Sequence, residues 1–283
     1  MSTTNSTDNA NHDGPATDGA KGEETLVDIG GRRLYIKCMG KGSPTVILEH
    51  GMATESDSWA QVQQAVARFT RVCAFDRAGR GKSDPAPKPR TSEDMVADLH
   101  TLLANAHVPG PYIMVGNSLG GFSARLYTHK YPDEVVGVVL VDSMHPDQFT
   151  RFEQALPPET PQDPEGLKMF RQSFTRDYKD PNKNPEGFDQ LTSHEQVRPV
   201  KSLGDVPMVV LASGTFLLTM PEPRSASYMH NVWQGLQRDL AQLSSNSKFV
   251  AVEDSGHFIQ VDRPQVVVDA IRELVEQVKG RQG

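Results

Sequence analysis

Short apolar runs and longer amphipathic stretches alternate along most of the chain. Thr45 to Glu49, Val72 to Phe75, Val135 to Val141, Val206 to Leu211 and Phe249 to Val252 are nearly continuous in apolar residues. That is the pattern of short strands buried on both faces. Between them, Trp59, Val62, Val66 and Phe69 recur at helical spacing, as do Met95, Val96, Leu99, Leu102 and Leu103. The second of these helices can be capped by Thr91 or Ser92. Leu26 to Ile29 and Leu34 to Cys38 flank Gly30-Gly31 and predict a β-hairpin at a sheet edge. A helix is expected around Val232 to Leu243, and a last one carries Val267, Ile271, Leu274 and Val278 on one face. Together the alternation predicts an α/β fold, a mostly parallel sheet with helices on both faces. No internal repeat interrupts it.

The pattern fails in two places. Residues 1–23 are polar and rich in Asn, Thr, Asp and Gly. They cannot bury enough surface to offset ordering entropy, so a disordered tail is expected. The tail lacks the basic and apolar regions of a secretory signal, and its Asn5-Ser6-Thr7 sequon is read as accidental. From residue 143 to 203 prolines cluster (Pro146, Pro157, Pro158, Pro161, Pro164, Pro181, Pro185) among Phe149, Phe152, Phe170 and Phe174. A structureless loop of that length is out of place in a compact domain. A lid of short helices is expected there, inserted into a core formed by residues 24–142 and 204–280.

Composition adds mainly exclusions. The 283 residues are 37% hydrophobic and 23% charged, with a formal net charge of −7, which gives no basic footprint for nucleic acid. No apolar run reaches the roughly 20 residues of a membrane span. The two cysteines, Cys38 and Cys73, both fall in predicted strands and read as buried thiols rather than a disulfide framework. No His/Cys/Asp/Glu set has metal-ligand spacing, so neither metal nor cofactor is expected. A monomeric or weakly associating cytoplasmic protein is the expectation.

The chemistry starts at Gly116-Asn117-Ser118-Leu119-Gly120-Gly121, which follows the apolar run Pro111 to Met114. A serine between small residues on a strand-to-helix turn is the pattern of a nucleophile elbow. Serine is a weak nucleophile and needs a base. His257, in Ser255-Gly256-His257 after the last predicted strand, lies at the carboxyl edge of the sheet where the elbow also opens. A carboxylate must then orient the imidazole. Asp142 ends the strand Val135 to Val141 at that edge and is favoured over the rival Glu222, because Ala212 to Leu218, after the strand Val206 to Leu211, holds no acid. The backbone amides of Leu119 and Met52 are the expected oxyanion donors, with His50 organising their loop. Gly51, Asn117, Phe216 and Trp233 are candidate contacts of a small-molecule substrate, with Leu217, Leu218, Met220 and Met229 alongside them.

In this order His50-Gly51, Asp76-Arg77-Ala78-Gly79-Arg80-Gly81-Lys82-Ser83, the elbow and Ser255-Gly256-His257 resemble the α/β-hydrolase fold superfamily from Leu26 to Val278. The resemblance implies a serine esterase-like member with a lid after the strand that follows the elbow. Its acid would stand at Asp142, since the commoner G-x-x-D placement is absent after Gly214. An elbow serine argues against the dehalogenases and epoxide hydrolases, which carry aspartate there. Esterase, lactonase and thioesterase chemistry remain open, as do cofactor-free peroxidase activity, C–C hydrolysis and ligand sensing through a retained triad. Gly81-Lys82-Ser83 invites a P-loop reading, but the glycine required five residues earlier is Asp76.

Overall fold

Eight strands pair into one sheet, in the order β1-β2-β4-β3-β5-β6-β7-β8. They are β1 (Glu23–Asp28), β2 (Arg33–Met39), β3 (Thr45–Glu49), β4 (Val72–Phe75), β5 (Tyr112–Asn117), β6 (Val135–Val141), β7 (Met208–Ser213) and β8 (Ser247–Val252). The computed structural model describes residues 22–215 and 223–282. Residues 1–21 of the expected tail, along with Phe216, Leu217, Leu218, Met220 and Glu222, lie outside the described residues, while Glu23, the last residue of that tail, opens β1. β1 runs antiparallel to β2, and β2 to β4, while every later pair is parallel.

The helices are α1 (Ala60–Val66), α2 (Ser92–Asn105), α3 (Leu119–Lys130), α4 (Gln148–Ala155), α5 (Glu165–Arg171), α6 (Gln190–Val197), α7 (Pro223–Leu240), α8 (Ile259–Asp262) and α9 (Pro264–Gln282). Two separate cores explain why the strands read as unbroken apolar runs. Ile47, Cys73, Met114, Leu140 and Val210 pack on one face with Leu99, Leu102 and Phe122 of α2 and α3. Their strand neighbours Leu48, Ala74, Val115, Val141 and Leu211 pack on the other with Val62 of α1 and Ile271 and Leu274 of α9. Successive side chains point to opposite faces, and here both faces are covered. Thr91 proves to be the cap of α2: its Oγ1 accepts from Asp94 N while Asp94 Oδ2 accepts from Thr91 N.

Three expectations change. β7 lies two residues later than the apolar run suggested, because Ala212 and Ser213 continue its ladder against Ala251 and Val252 of β8. Pro207 stays outside and offers only its carbonyl, to Val138 N at 2.9 Å. β5 likewise runs on through polar Asn117, paired with Val141. The largest change concerns the cysteines. Cys38 and Cys73 are directly opposite each other in the β2–β4 register and form a disulfide, with their Cα atoms 4.1 Å apart. Strand register across 35 residues is not visible in the chain, so two thiols that looked merely buried turn out to be paired.

Candidate active site

Six parallel strands end at one edge of the sheet, and the candidate site stands on the residues past four of them, β3, β5, β6 and β8. Ser118 follows Asn117 of β5 and precedes α3 with φ 51° and ψ −114°. For a residue with a Cβ this is a strained conformation. Its amide donates to Val141 O at 3.1 Å, and its carbonyl accepts from Met144 N and Gly121 N at 3.0 Å each. The turn is possible because Gly116 and Gly120 touch: a Cβ on Gly116 would meet the Gly120 carbonyl, and one on Gly120 the Glu49 carbonyl.

Asp142 directly follows β6, also at positive φ (44°), and its side chain is fully buried. Its Oδ1 accepts from Ser213 N and from Trp233 Nε1, both at 2.8 Å. Its Oδ2 accepts from Ser213 Oγ at 2.9 Å and lies 2.6 Å from His257 Nδ1. Four donors therefore surround the buried carboxylate, which offsets its desolvation. α7 holds this turn from above. Gln237 accepts from Ser143 N and donates to Ser143 O at 2.7 Å, while Gln234 donates to Ser213 O at 2.6 Å.

His257 sits in the loop between β8 and α8. Thr215 N donates to Ser255 O at 3.0 Å, and Gly256 N to Asp262 Oδ2 at 2.8 Å. Asn117 Nδ2 donates to the His257 carbonyl at 3.2 Å and to Val141 O at 3.0 Å. Asn117 is wholly buried and absent from the cavity wall. Strand alternation turns the residue before Ser118 inward, where it ties the histidine loop to β6.

Ser118 and His257 open on a cavity of about 320 Å³. Gly51, Met52 and Trp233 share its wall with Met144, Phe149, Phe174, Tyr178 and Phe258, and the polar members are Gln148, Ser173 and Gln190. Of the expected substrate contacts, Gly51 and Trp233 reach the cavity. Trp233 also binds Asp142, a role its sequence position does not betray. Met229 packs instead with Phe152, Phe170 and Leu236. No charged side chain lines the cavity among the described residues. Phe149, Phe174 and Tyr178 come from the short-helix stretch between β6 and β7, where Phe149 stacks on Tyr178 with ring centroids 3.9 Å apart.

The loop after β3 supplies the facing wall. Neither the amide of Met52 nor that of Leu119 donates to another described residue. His50 is buried and neutral: its Nδ1 contacts Gly51 O at 2.8 Å, and its Nε2 accepts from Arg77 N at 3.3 Å. Burial, reinforced by Arg77, lowers its pKa to about 3, so it organises the loop and does not serve as a base. Behind it lies a buried cluster that the sequence did not disclose. Arg77 Nε and Nη2 donate to the two carboxylate oxygens of Glu186 at 2.9 Å each, with Glu49 3.6 Å from Nη1. Burial raises Glu49 to about 7 against the pull of Arg77. Burial would raise Glu186 as well, but the charge and hydrogen bonds of Arg77 hold it below its ordinary value. Ser83 Oγ donates to Asp76 O at 2.6 Å and accepts from Tyr35 N, so the Gly81-Lys82-Ser83 loop is closed on itself.

A sheet in this order, with a strained serine turn at its centre and the histidine loop beside it, defines a class. The chain has the α/β-hydrolase fold, and a model of that fold family matches residues 44–181. Its relatives and structural neighbours include hydrolases. Uncharacterized protein YqjL of Bacillus subtilis (strain 168) is 28% identical over 237 residues, covering 83% of this chain and 85% of YqjL. The pimeloyl-[acyl-carrier protein] methyl ester esterase of Chromobacterium violaceum is 40% identical over 110 residues, covering 38% of this chain and 40% of that enzyme. Two other relatives are longer proteins, of which the chain spans 43% and 23%. A thermophilic esterase from Thermogutta terrifontis superposes with a TM-score of 0.60 at 22% identity, over 92% of this chain and 99% of that one.

Proposed function

We propose that the protein is a serine hydrolase that cleaves carboxylic esters of small, uncharged, largely apolar molecules through an acyl-enzyme. One observation carries the reading: the 2.6 Å contact between His257 Nδ1 and the buried Asp142, beside an elbow serine on the same cavity. A carboxylate at Nδ1 holds the proton there and puts the basic lone pair on Nε2. His257 takes the Ser118 hydroxyl proton as Oγ attacks the ester carbonyl. The carbonyl oxygen becomes an oxyanion received by the amides of Met52 and Leu119. Collapse expels the alcohol, which leaves with the proton from His257. Water, deprotonated by His257, then attacks the acyl carbon; the Oγ–acyl bond breaks, His257 returns its proton to Ser118 Oγ, and the carboxylic acid departs.

Several features support the ester class. Among the described residues the two amides are without acceptors, and the cavity wall carries aromatic and thioether groups and no ion to bind a charged substrate. The Chromobacterium violaceum relative is a methyl ester esterase, and one structural neighbour degrades N-acyl homoserine lactones. The short helices between β6 and β7, residues 143–203, act as the lid. No helix among the described residues is long and apolar enough to cross a membrane. The Cys38–Cys73 disulfide, a bond that persists in oxidising surroundings, lends no support to a cytoplasmic location.

The test is Ser118→Ala. It is expected to abolish hydrolysis of p-nitrophenyl butyrate and labelling by a fluorophosphonate while the melting temperature stays near that of the parent. Retained turnover overturns the assignment. Labelling of the parent without turnover of any ester, lactone or thioester would move the reading to ligand sensing.

A further inference from the structure

The carbonyl of Gly51 is held by three donors. Arg77 Nη2 and His50 Nδ1 each approach it at 2.8 Å, and Thr54 Oγ1 at 3.0 Å. In a trans peptide unit the carbonyl and the following N–H point in opposite directions. Pinning the Gly51 carbonyl toward Arg77 therefore sets the Met52 N–H on the opposite side. There Gly51, Met52 and Ser118 share the cavity wall, and that N–H has no acceptor among the described residues.

The pin depends on where the Arg77 guanidinium stays. Nη1 donates to the His50 carbonyl at 2.5 Å, while Nε and Nη2 form a two-point pair with Glu186. Glu186 Oε1 also accepts from Ala53 N at 2.9 Å, holding Ala53 at φ 61°, where a residue with a side chain is strained. Both partners are almost wholly buried, at 4% and 2% exposure of the side chains. Glu186 is 109 residues from Arg77 in sequence and belongs to the stretch between β6 and β7. The nearest alternative partner for Arg77 is Glu49, at 3.6 Å. Without Glu186, the guanidinium would be drawn toward Glu49, away from the carbonyls it now holds.

We propose that Glu186 is a positioning residue for transition-state stabilisation. Docked from the lid, it fixes Arg77 and Ala53 and thereby aims the Met52 amide at the developing oxyanion. The proposal rests on the serine hydrolase reading and adds a residue to it, because the oxyanion donor is set only when the lid segment is seated.

Glu186→Gln keeps the length and one acceptor but places N–H groups against the N–H groups of Arg77. Its kcat on p-nitrophenyl butyrate is expected to fall about 10- to 100-fold with KM within about threefold. Affinity for a phenylboronic acid, whose tetrahedral adduct places an oxygen in the same hole, is expected to fall by a similar factor. Asp163→Asn is the control: it breaks a second buried pair in the same stretch, Asp163–Arg171 at 3.1 Å, without touching the loop. It is expected to leave kcat within about twofold even where it lowers the melting temperature. If Glu186→Gln fails to fold, Thr54→Val removes one of the three donors to Gly51 and is expected to lower kcat severalfold at constant KM. An unchanged kcat, or a rise in KM alone, in the variant that folds overturns the proposal. An equal loss in Asp163→Asn overturns it too, since the effect would then be general softening of the stretch. With Ser118→Ala inactive, such results sink the positioning role alone; with Ser118→Ala active, the hydrolase reading itself fails.

Discussion

Replacing Asp142 by asparagine changes one atom, and the hydrogen bonds around it decide how the new amide must lie. Oδ1 faces two N–H donors, Ser213 N and Trp233 Nε1, both at 2.8 Å. Neither can reverse its polarity, so the amide oxygen of asparagine has to remain there. The amide nitrogen then faces Ser213 Oγ and His257 Nδ1, at the 2.9 and 2.6 Å positions of the former Oδ2. The Ser213 hydroxyl can rotate and accept. His257 can accept at Nδ1 only by carrying its proton on Nε2, which removes the lone pair that would deprotonate Ser118. The expected loss in kcat is about 10⁴-fold, or roughly 5.5 kcal/mol of barrier. Stability should hardly change, because all four contacts are remade around a neutral group. A melting shift within about 4 °C corresponds to about 1 kcal/mol. Steady-state hydrolysis of p-nitrophenyl butyrate reads the first effect, and ¹⁵N chemical shifts of the imidazole read the tautomer. A variant within tenfold of the parent, or one with its proton still on Nδ1, refutes the assignment of Asp142, and a large loss in Glu222→Gln would then name its replacement.

Two predictions concern stability. The disulfide closes a separation of 35 residues, and the chain-entropy estimate for such a loop is about 4 kcal/mol. Cys38→Ala with Cys73→Ala should thus lower the melting temperature by about 8–16 °C; an unchanged melting temperature, or free thiols found in the unreduced parent, would contradict the pairing. Burial also lowers His50 and His145 to about 3 and His194 to about 4. As pH falls below 6.5 the unfolded chain takes up these protons first. The stability they contribute is complete above 6.5 and is lost as pH drops toward 4. Glu49, raised to about 7, works in the opposite sense between 4.5 and 7, because there the native state holds a proton that the unfolded state has released. The net difference approaches two protons near pH 5.5, a slope of up to about 3 kcal/mol per pH unit. Urea unfolding at pH 7 and pH 5 measures it, and equal midpoints would show that these histidines are accessible and charged.

Local pattern alone was enough for the α/β fold, because strands covered on both faces and helices covered on one leave different periodicities in the chain. It was also enough to bring Ser118, His257, Asp142 and the Met52 loop to one sheet edge, since each follows the carboxyl end of a predicted strand. Lateral relationships were not legible. The pairing of Cys38 with Cys73 depends on the register of two antiparallel strands. The inward turn of Asn117 depends on how far β5 continues beyond its apolar run. Trp233 looked like cavity lining and is that, but its indole nitrogen also holds Asp142, which only the seating of α7 over the Asp142–Ser143 turn could decide. Arg77 and Glu186 show the limit most plainly: nothing local marks two residues 109 apart as partners. Their pairing is a long-range solution to a buried charge, so tertiary structure alone reveals it.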